Sequence, residues 1–251
     1  MRWDIAILSE PGERENNEDC VAVTSGDAGI CTVLCDGLGG HDAGEVASKC
    51  VCDSVTAAFE KAPEGADIGE LVCELLQNAQ DELMKMQIEL DKQDGMKTTA
   101  CCLLIQNGKT AAAYVGDSRI YQFRKNKMLL RSSDHSIPQY LVNIGEIKER
   151  DIRHHPDRNK LLRVMGSEWE TPRYQRLKLE EPVCGDAFLL CTDGFWEWIE
   201  EKDMERFLKR ASCSEEWLNT MKKFIYARGR GNRMDNLSAI AIMRVEGDDD
   251  G

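Results

Sequence analysis

The sequence predicts an α+β fold: antiparallel β-sheets with helices layered over their outer faces. Three observations carry that expectation. Short apolar runs rich in β-type residues recur along the chain, two pairs of them are joined by hairpin signals, and they follow one another largely without intervening helices. Two long stretches in the first half have helical periodicity and supply the covering layer.

Taken in chain order, the first clear strand is "ICTVLC" within "GICTVLCDGLGGHDAGE", Gly29 to Glu45. It is expected to finish on Asp36 before a glycine turn, which sets a costly carboxylate at the lip of a buried element. "AGEVASKCVCDSVTAAFEK" from Ala43 reads as a helix, and so does "DIGELVCELLQNAQDELMKMQIELDK" from Asp67. In the second, Ile68, Leu71, Val72, Leu75, Leu76, Ala79, Leu83, Met86 and Leu90 form one apolar stripe that needs a flat partner. "TACCLLIQNGKTAAAYV" puts Asn107-Gly108 between two apolar segments, and both residues tolerate the positive φ of a tight turn. "RIYQFRKNKMLLRS" reads as a second hairpin around Lys125 to Lys127. Between Ser136 and Gly166 the chain turns polar and irregular, as a flap would. "AFLLCT" and "LSAIAIMRV" complete the strands.

At 251 residues, with no Pro, Gly or Ser-rich linker, a single domain over residues 1–245 is expected, with a flap at about 136–170 and a disordered acidic tail at 246–251. No run approaches the roughly eighteen unbroken apolar residues of a membrane helix, and the N-terminal apolar patch is too short for a signal peptide. Eleven cysteines, an odd number, sit mostly inside apolar runs, which suits buried thiols in a reducing compartment. The cytoplasm is therefore expected. No CxxC spacing suggests a zinc knuckle, and no cysteine has an arginine six positions later, so a cysteine-nucleophile phosphatase is excluded. With 32 basic against 45 acidic residues and a formal charge of -13, nucleic acid is not an expected partner, nor is a membrane.

The acidic strand end at Asp36 recurs. "AFLLCTDGF" ends on Asp193-Gly194, "AAAYVGDSR" leaves Asp117 between strands, "RMDNLSAIAIM" sets Asp235 before one, and "NNEDC" brings Glu18 and Asp19. Each alone can be a turn residue. If the strands lie side by side, their ends converge, and several carboxylates then share a volume in which they repel unless a cation intervenes. Hard oxygen ligands suit Mg²⁺ or Mn²⁺, and the Gly37 carbonyl can approach a metal without a side chain in the way.

"RENNEDC", "LCDGLGGH", "KTTACCLL", "AYVGDSRIY", "SSDHS", "HPDRNKLLRVMG", "LLCTDGFWE" and "DNLSAI", in this order, resemble the successive motifs of the metal-dependent protein serine/threonine phosphatases of the PP2C type, and the DGLGGHDAGE form is similar to their bacterial branch. The resemblance runs from about Arg14 to Ser238. It implies a central sandwich of two antiparallel β-sheets flanked by helices on both outer faces, with a flap beside the active site. It also implies two Mn²⁺ or Mg²⁺ ions, with Asp36 bridging them, the Gly37 carbonyl on one, Asp193 and Asp235 completing the other, and Glu18 and Asp19 close by. Asp117 matches the aspartate that, with Asp193, holds a third, weaker metal. Arg14 matches the arginine that grips the substrate phosphate. The reaction implied is hydrolysis of phosphoserine or phosphothreonine by a metal-activated water, reversing a cognate Ser/Thr kinase, in a protein expected to be a monomer.

Several readings stay open. Arg14 is otherwise a surface partner of Glu13 or Glu18. The eukaryotic members have a histidine after the DG, proposed as the leaving-group acid, whereas this chain has Leu38, which leaves that role unassigned. A water on the third metal is the preferred donor, and His41 reads as a helix-entry residue. His135, His154 and His155 read as structural or surface residues. Arg158 and Arg163 either meet substrate or anchor the flap to acidic neighbours. The competing functional classes are a catalytically silent phosphatase fold acting as a binding or regulatory module, and a cation-binding protein or metallohydrolase of different substrate class with an independently evolved carboxylate cluster. All the expected acidic ligands are present, which disfavours the first, and Arg14 with the flap signature is unexplained by the second.

Overall fold

The computed structural model describes residues 2–39, 43–92 and 95–246. His41 and the tail from residue 247 onward lie outside the described residues. The elements run β1 (Arg2–Glu10), β2 (Asp19–Gly26), β3 (Gly29–Leu38), α1 (Ala43–Phe59), α2 (Ile68–Glu89), β4 (Lys97–Thr98), β5 (Ala100–Gln106), β6 (Lys109–Val115), β7 (Arg119–Arg124) and β8 (Lys127–Arg131). There follow α3 (Ile137–Asn143), a 3₁₀ helix (Glu149–His154), β9 (Gln175–Leu177), β10 (Ala187–Cys191), α4 (Asp193–Trp196), α5 (Glu201–Leu208), α6 (Ser214–Gly229) and β11 (Leu237–Val245). One sheet has the order β1-β11-β10-β7-β8, and the other β2-β3-β5-β6-β9 with β4 paired to the end of β3. Every named strand pair is antiparallel.

The strands β3, β5, β10 and β11 read as near-continuous apolar runs because both of their faces are covered. Along β5, Cys101, Leu103 and Ile105 point between the sheets, where they meet Phe188, Leu190, Ile240 and Ile242 of the opposite sheet. The alternate residues Ala100, Cys102 and Leu104 face outward and pack with α1 and α2. On the other side Leu189, Cys191, Ala239 and Ala241 pack under α5 and α6 through Met204, Phe207, Trp217 and Met221. The result is four layers, helix, sheet, sheet, helix, as expected. Among the described residues, no helix is long and apolar enough to cross a membrane.

α2 begins where Asp67 accepts hydrogen bonds from the Gly69 and Glu70 amides at 2.8 and 3.2 Å. Its stripe is buried as far as Leu83, but Leu90 falls just beyond the helix and is exposed. The hairpin turns form at Asn107-Gly108 and at Lys125-Asn126, with positive φ at all four residues. Two departures stand out. β3 does not stop at Asp36: Gly37 and Leu38 pair with Thr98 and Lys97 and carry the strand two residues further. The segment expected as an irregular flap contains α3 and the 3₁₀ helix, and is stitched down at its far end. There Gln87 donates to the carbonyls of Met96 and Gly166 at 2.6 and 2.8 Å, and Gln80 accepts from the Gly166 amide at 2.8 Å.

Beneath the β6–β7 turn lies a fully buried ion pair. Arg119 donates to both oxygens of Asp134, Nε to Oδ1 at 2.8 Å and Nη2 to Oδ2 at 2.7 Å, and its guanidinium lies 3.5 Å from the ring centre of Trp196. Glu201 meets Arg153 at 2.9 Å and approaches Arg119 at 3.8 Å, extending the network toward the 3₁₀ helix. Breaking such a pair from one side strands a charge in the core. We expect Asp134→Ala to lose about 3–5 kcal/mol in urea denaturation, and an Arg119→Met/Asp134→Leu double variant to recover most of it. Equal losses in the two proteins would mean that the pair is not held as a charged unit.

Candidate active site

Five acidic positions converge because the strand ends that carry them share one rim of the sandwich. Asp19, the first residue of β2, is the register partner of Asp36 on β3. Asp117 occupies the turn from β6 to β7, Asp193 follows β10 as the first residue of α4, and Asp235 precedes β11. β10 and β11 are neighbours, with Cys191 opposite Ala239, so Asp193 and Asp235 leave the sheet side by side. A cavity of about 640 Å³ opens at this rim, lined by Asp36, Asp117, Asp193, Asp235, Glu18 and Gly37, with Arg14 at its lip. Seven of the eight positions singled out in the sequence line the cavity. Asp19 does not: it is buried behind the wall.

Backbone contacts, not side-chain pairing, hold Asp36 in place. Its amide donates to Thr99 Oγ1 at 3.0 Å, and its carbonyl accepts from the Thr99 amide at 2.9 Å and from Thr98 Oγ1 at 2.8 Å. Thr99 Oγ1 also meets Ser118 Oγ at 2.7 Å, which couples β3 to the turn of Asp117. Trp196 Nε1 donates to the Asp117 carbonyl at 3.0 Å, tying the same turn to α4. Gly37 and Gly194 are required by close approach: a Cβ on the first would lie 2.3 Å from the Gly44 carbonyl oxygen, and on the second 2.0 Å from that of Asn236.

The carboxylates feel one another strongly. Burial, then the charges of Asp193, Asp19, Asp117 and Asp235, push the Asp36 carboxyl well above the usual carboxylate range, although part of it faces the cavity. Burial followed by the charges of Asp117, Glu197, Asp235 and Asp19 does the same to Asp193. Burial lifts Asp117 to about 7, with Asp134 as the next cause. Burial also lifts Asp19 to about 7, against hydrogen bonds from Ser238 and Thr192. Asp19 Oδ2 accepts from Thr192 Oγ1 at 3.0 Å, while its Oδ1 is buried without a hydrogen-bond partner.

An all-oxygen donor set of clustered, charge-strained carboxylates with one orphaned buried oxygen fits hard divalent cations. Among the described residues, no three His, Cys, Asp or Glu side chains form a compact ligand group. The acids surround the cavity without closing on a common point, and Asp235 accepts from Arg14 Nη2 at 2.7 Å. Arg14, its side chain 57% exposed, thus pairs with Asp235 and not with Glu13 or Glu18.

Three contributors escaped the sequence reading. Asn236 accepts from the Glu18 amide at 2.8 Å and donates to the carbonyls of Pro11 and Asn16 at 3.1 and 2.8 Å, fastening the Arg14 loop to the Asp235 segment. Thr192 holds Asp19. Glu197, one helical turn after Asp193, accepts from Arg158 Nε at 2.7 Å and so anchors the flap beside the cavity. The flap also contributes Asn159 and Leu161 to the wall. The signals were present in "TDGFWE" and "DNLSAI", but nothing in a motif distinguishes a fastening side chain from a spacer. His135 is buried, its Nδ1 accepting from the Gly116 amide at 3.1 Å and its ring stacked on Tyr114.

A two-sheet sandwich with carboxylates gathered at one rim and a guanidinium at the lip defines the class as the PP2C-type phosphatase fold. The family profile described as Protein phosphatase 2C matches residues 12–227, and the chain belongs to that family. It is 28% identical to the serine/threonine protein phosphatase PstP of Mycobacterium tuberculosis over 236 residues, a match covering 94% of this chain. The match spans only 43% of the length of PstP. The serine/threonine phosphatase stp of Listeria innocua is 28% identical over 240 residues, covering 92% of this chain and 91% of stp. The crystal structure of M. tuberculosis PstP superposes with a TM-score of 0.83 at 26% identity, covering 97% of this chain and 99% of that one. A second PstP catalytic-domain structure, in complex with two manganese ions, has a TM-score of 0.81 at 24% identity and covers 97% of this chain and 99% of that one.

Crowded acids make the cation-free protein sensitive to pH. Asp19 and Asp117, held at about 7, bind protons more tightly in the folded chain than in the unfolded one, where aspartate titrates near 3.9. Their contribution to stability is therefore full below about pH 4 and is lost as pH rises toward 7. Removing one charge should relieve the strain. We expect Asp36→Asn in EDTA at pH 7.5 to melt about 2–6 °C above wild type, a gain of about 1–2 kcal/mol that shrinks at pH 5. A lower melting temperature in calorimetry would show that the carboxylates do not repel.

Proposed function

We propose that this chain is a metal-dependent protein serine/threonine phosphatase whose site is the carboxylate cavity, and that residues 1–245 form its single catalytic domain. The observation that carries the reading is the gathering of Asp36, Asp117, Asp193 and Asp235 around one cavity with Arg14 at its lip. The names of the relatives, and the manganese in one solved relative, support it. Mn²⁺ or Mg²⁺ would be held by Asp36, the Gly37 carbonyl, Asp193 and Asp235, with Glu18 and Asp19 nearby and a third, weaker site at Asp117 and Asp193. When bound, such cations supply water acidic enough to yield hydroxide at neutral pH and offset charge on the phosphoryl oxygens.

The chain's own residues do the rest. Arg14 offers a planar fork that takes two phosphate oxygens and aligns phosphorus for in-line attack. Asp235 accepts from that fork at 2.7 Å, which keeps the guanidinium at the lip of the cavity. Asn236 keeps Arg14 and Asp235 at a fixed separation by bonding both sides of the loop between them. Leu38 excludes water from its side of the cavity and has no proton to give. The amide side chains of the wall, on Asn16, Asn159 and Asn236, release none at neutral pH either. We assign assistance to the leaving alkoxide to the Asp117 side.

We infer phosphorylated proteins as substrates, a Ser/Thr kinase and its targets as the partners whose work is reversed, and a monomer acting in the cytoplasm. The free thiols of all eleven cysteines support the last.

Turnover of para-nitrophenyl phosphate should require Mn²⁺ or Mg²⁺, vanish in EDTA, and fall at least about 100-fold in Asp36→Asn. Activity that survives chelation would overturn this function. Asp117→Asn should slow a phosphoserine peptide more than the aryl phosphate, because only the poor alkoxide leaving group needs a proton. Equal slowing of the two substrates would remove Asp117 from that step.

A further inference from the structure

Beside the Arg14 loop lies a groove whose charge is opposite to that of the molecule. Five of the twelve residues from Lys222 to Arg233 are Lys or Arg and none is acidic, in a chain whose net charge is -13. The end of α6 and the turn after it carry this run past the cavity. A groove of about 690 Å³ opens there, walled by Gly12, Glu13, Lys223, Tyr226, Ala227 and Arg230. Glu13 lines both this groove and the carboxylate cavity, so the two adjoin at the loop that carries Arg14.

The bordering acids are already engaged. Glu10 accepts from Lys222 Nζ at 2.9 Å and from the Tyr226 hydroxyl at 2.7 Å. Glu13 spends its two oxygens on the amides of Gly231 and Met234, at 2.6 and 3.2 Å, and its charge also feels Arg230 across the groove. Arg228 faces Asp203 at 3.6 Å. Lys223, Arg230 and Arg233 are exposed, and none forms an ion pair with a carboxylate among the described residues. The groove therefore presents cationic heads next to the partly buried ring of Tyr226, with no local anion set against Lys223.

We propose that this groove binds acidic residues flanking the phosphoserine or phosphothreonine of the substrate, with Lys223 and Arg230 as the cations that meet them. The proposal deepens the phosphatase reading and rests on it. The surface as a whole repels an acidic segment, so a local basic wall adjoining the phosphate site is what would draw one into register. A segment with basic flanks would meet like charge at the same place.

The test uses three fluorescent peptides with a non-hydrolysable phosphonate at the phosphoserine position, identical except for Glu, Ala or Lys flanks. Each is titrated by anisotropy against the Mn²⁺-loaded wild type and the Lys223→Glu/Arg230→Glu variant. Wild type should bind the Glu-flanked peptide about five- to tenfold more tightly than the Ala-flanked one, and the Lys-flanked one most weakly. The preference should fade in about 0.5 M salt and disappear in the double variant. Both substitutions are on the surface, and para-nitrophenyl phosphate, which has no flanks, should be turned over equally by both proteins. Equal affinity for the Glu and Ala peptides, or a preference that the double variant keeps, would overturn the proposal. Turnover of the aryl phosphate by wild type separately decides whether the cavity is a phosphatase site.

Discussion

Mutual repulsion among buried carboxylates is the constraint around which the rest of this structure is arranged. Asp193, Asp19, Asp117 and Asp235 all raise the proton affinity of Asp36, and Asp117, Asp235 and Asp19 raise that of Asp193. Such a cluster disperses unless its backbone is held by something indifferent to charge. Here the holders are neutral: Thr98, Thr99 and Ser118 around Asp36, Trp196 on the Asp117 carbonyl, and Asn236 bridging the Arg14 loop. The hydrogen-bonded ladders of two sheets oppose the repulsion, and the four-layer packing keeps those ladders out of water.

The two halves of the site are held in different ways. The carboxylates sit on strand ends and on the first turn of α4, each backed by core. Of the groups that meet the outside, Arg14 is tied to Asp235 and Arg158 of the flap to Glu197 by polar contacts, while Ile152 and Met165 root the flap in the two outer cores. Acids fixed on strand ends, with surface polar groups around them, suit a chemistry that is the same for every substrate while the substrates differ.

Much of this was legible in the residues. The Asn107-Gly108 hairpin and the two long helices follow from turn chemistry and from helical periodicity. The acidic positions could be read because an aspartate placed where an apolar run ends is locally expensive. What escaped notice depends on partners far away in the chain. β1, "RWDIAILSE", becomes a strand by pairing residue for residue with β11 more than 200 positions later, and its own pattern is half-exposed and weak. β9 has three residues and exists only as the neighbour of β6. The extra length of β3 past Asp36 comes from β4, two residues that no local pattern marks as a strand. Asn236 and Glu197 lie beside acids that were recognised, yet their work is on loops distant in sequence.

Trp196 carries a consequence of its own. Its indole lies flat against the Arg119 guanidinium while its nitrogen points at the carbonyl of Asp117, so one chromophore spans the charged core and the rim above it. Emission from a ring in that position shifts with the local field. With the other four tryptophans replaced, Trp196 would serve as an optical gauge of the turn that shapes the cleft, without an added label.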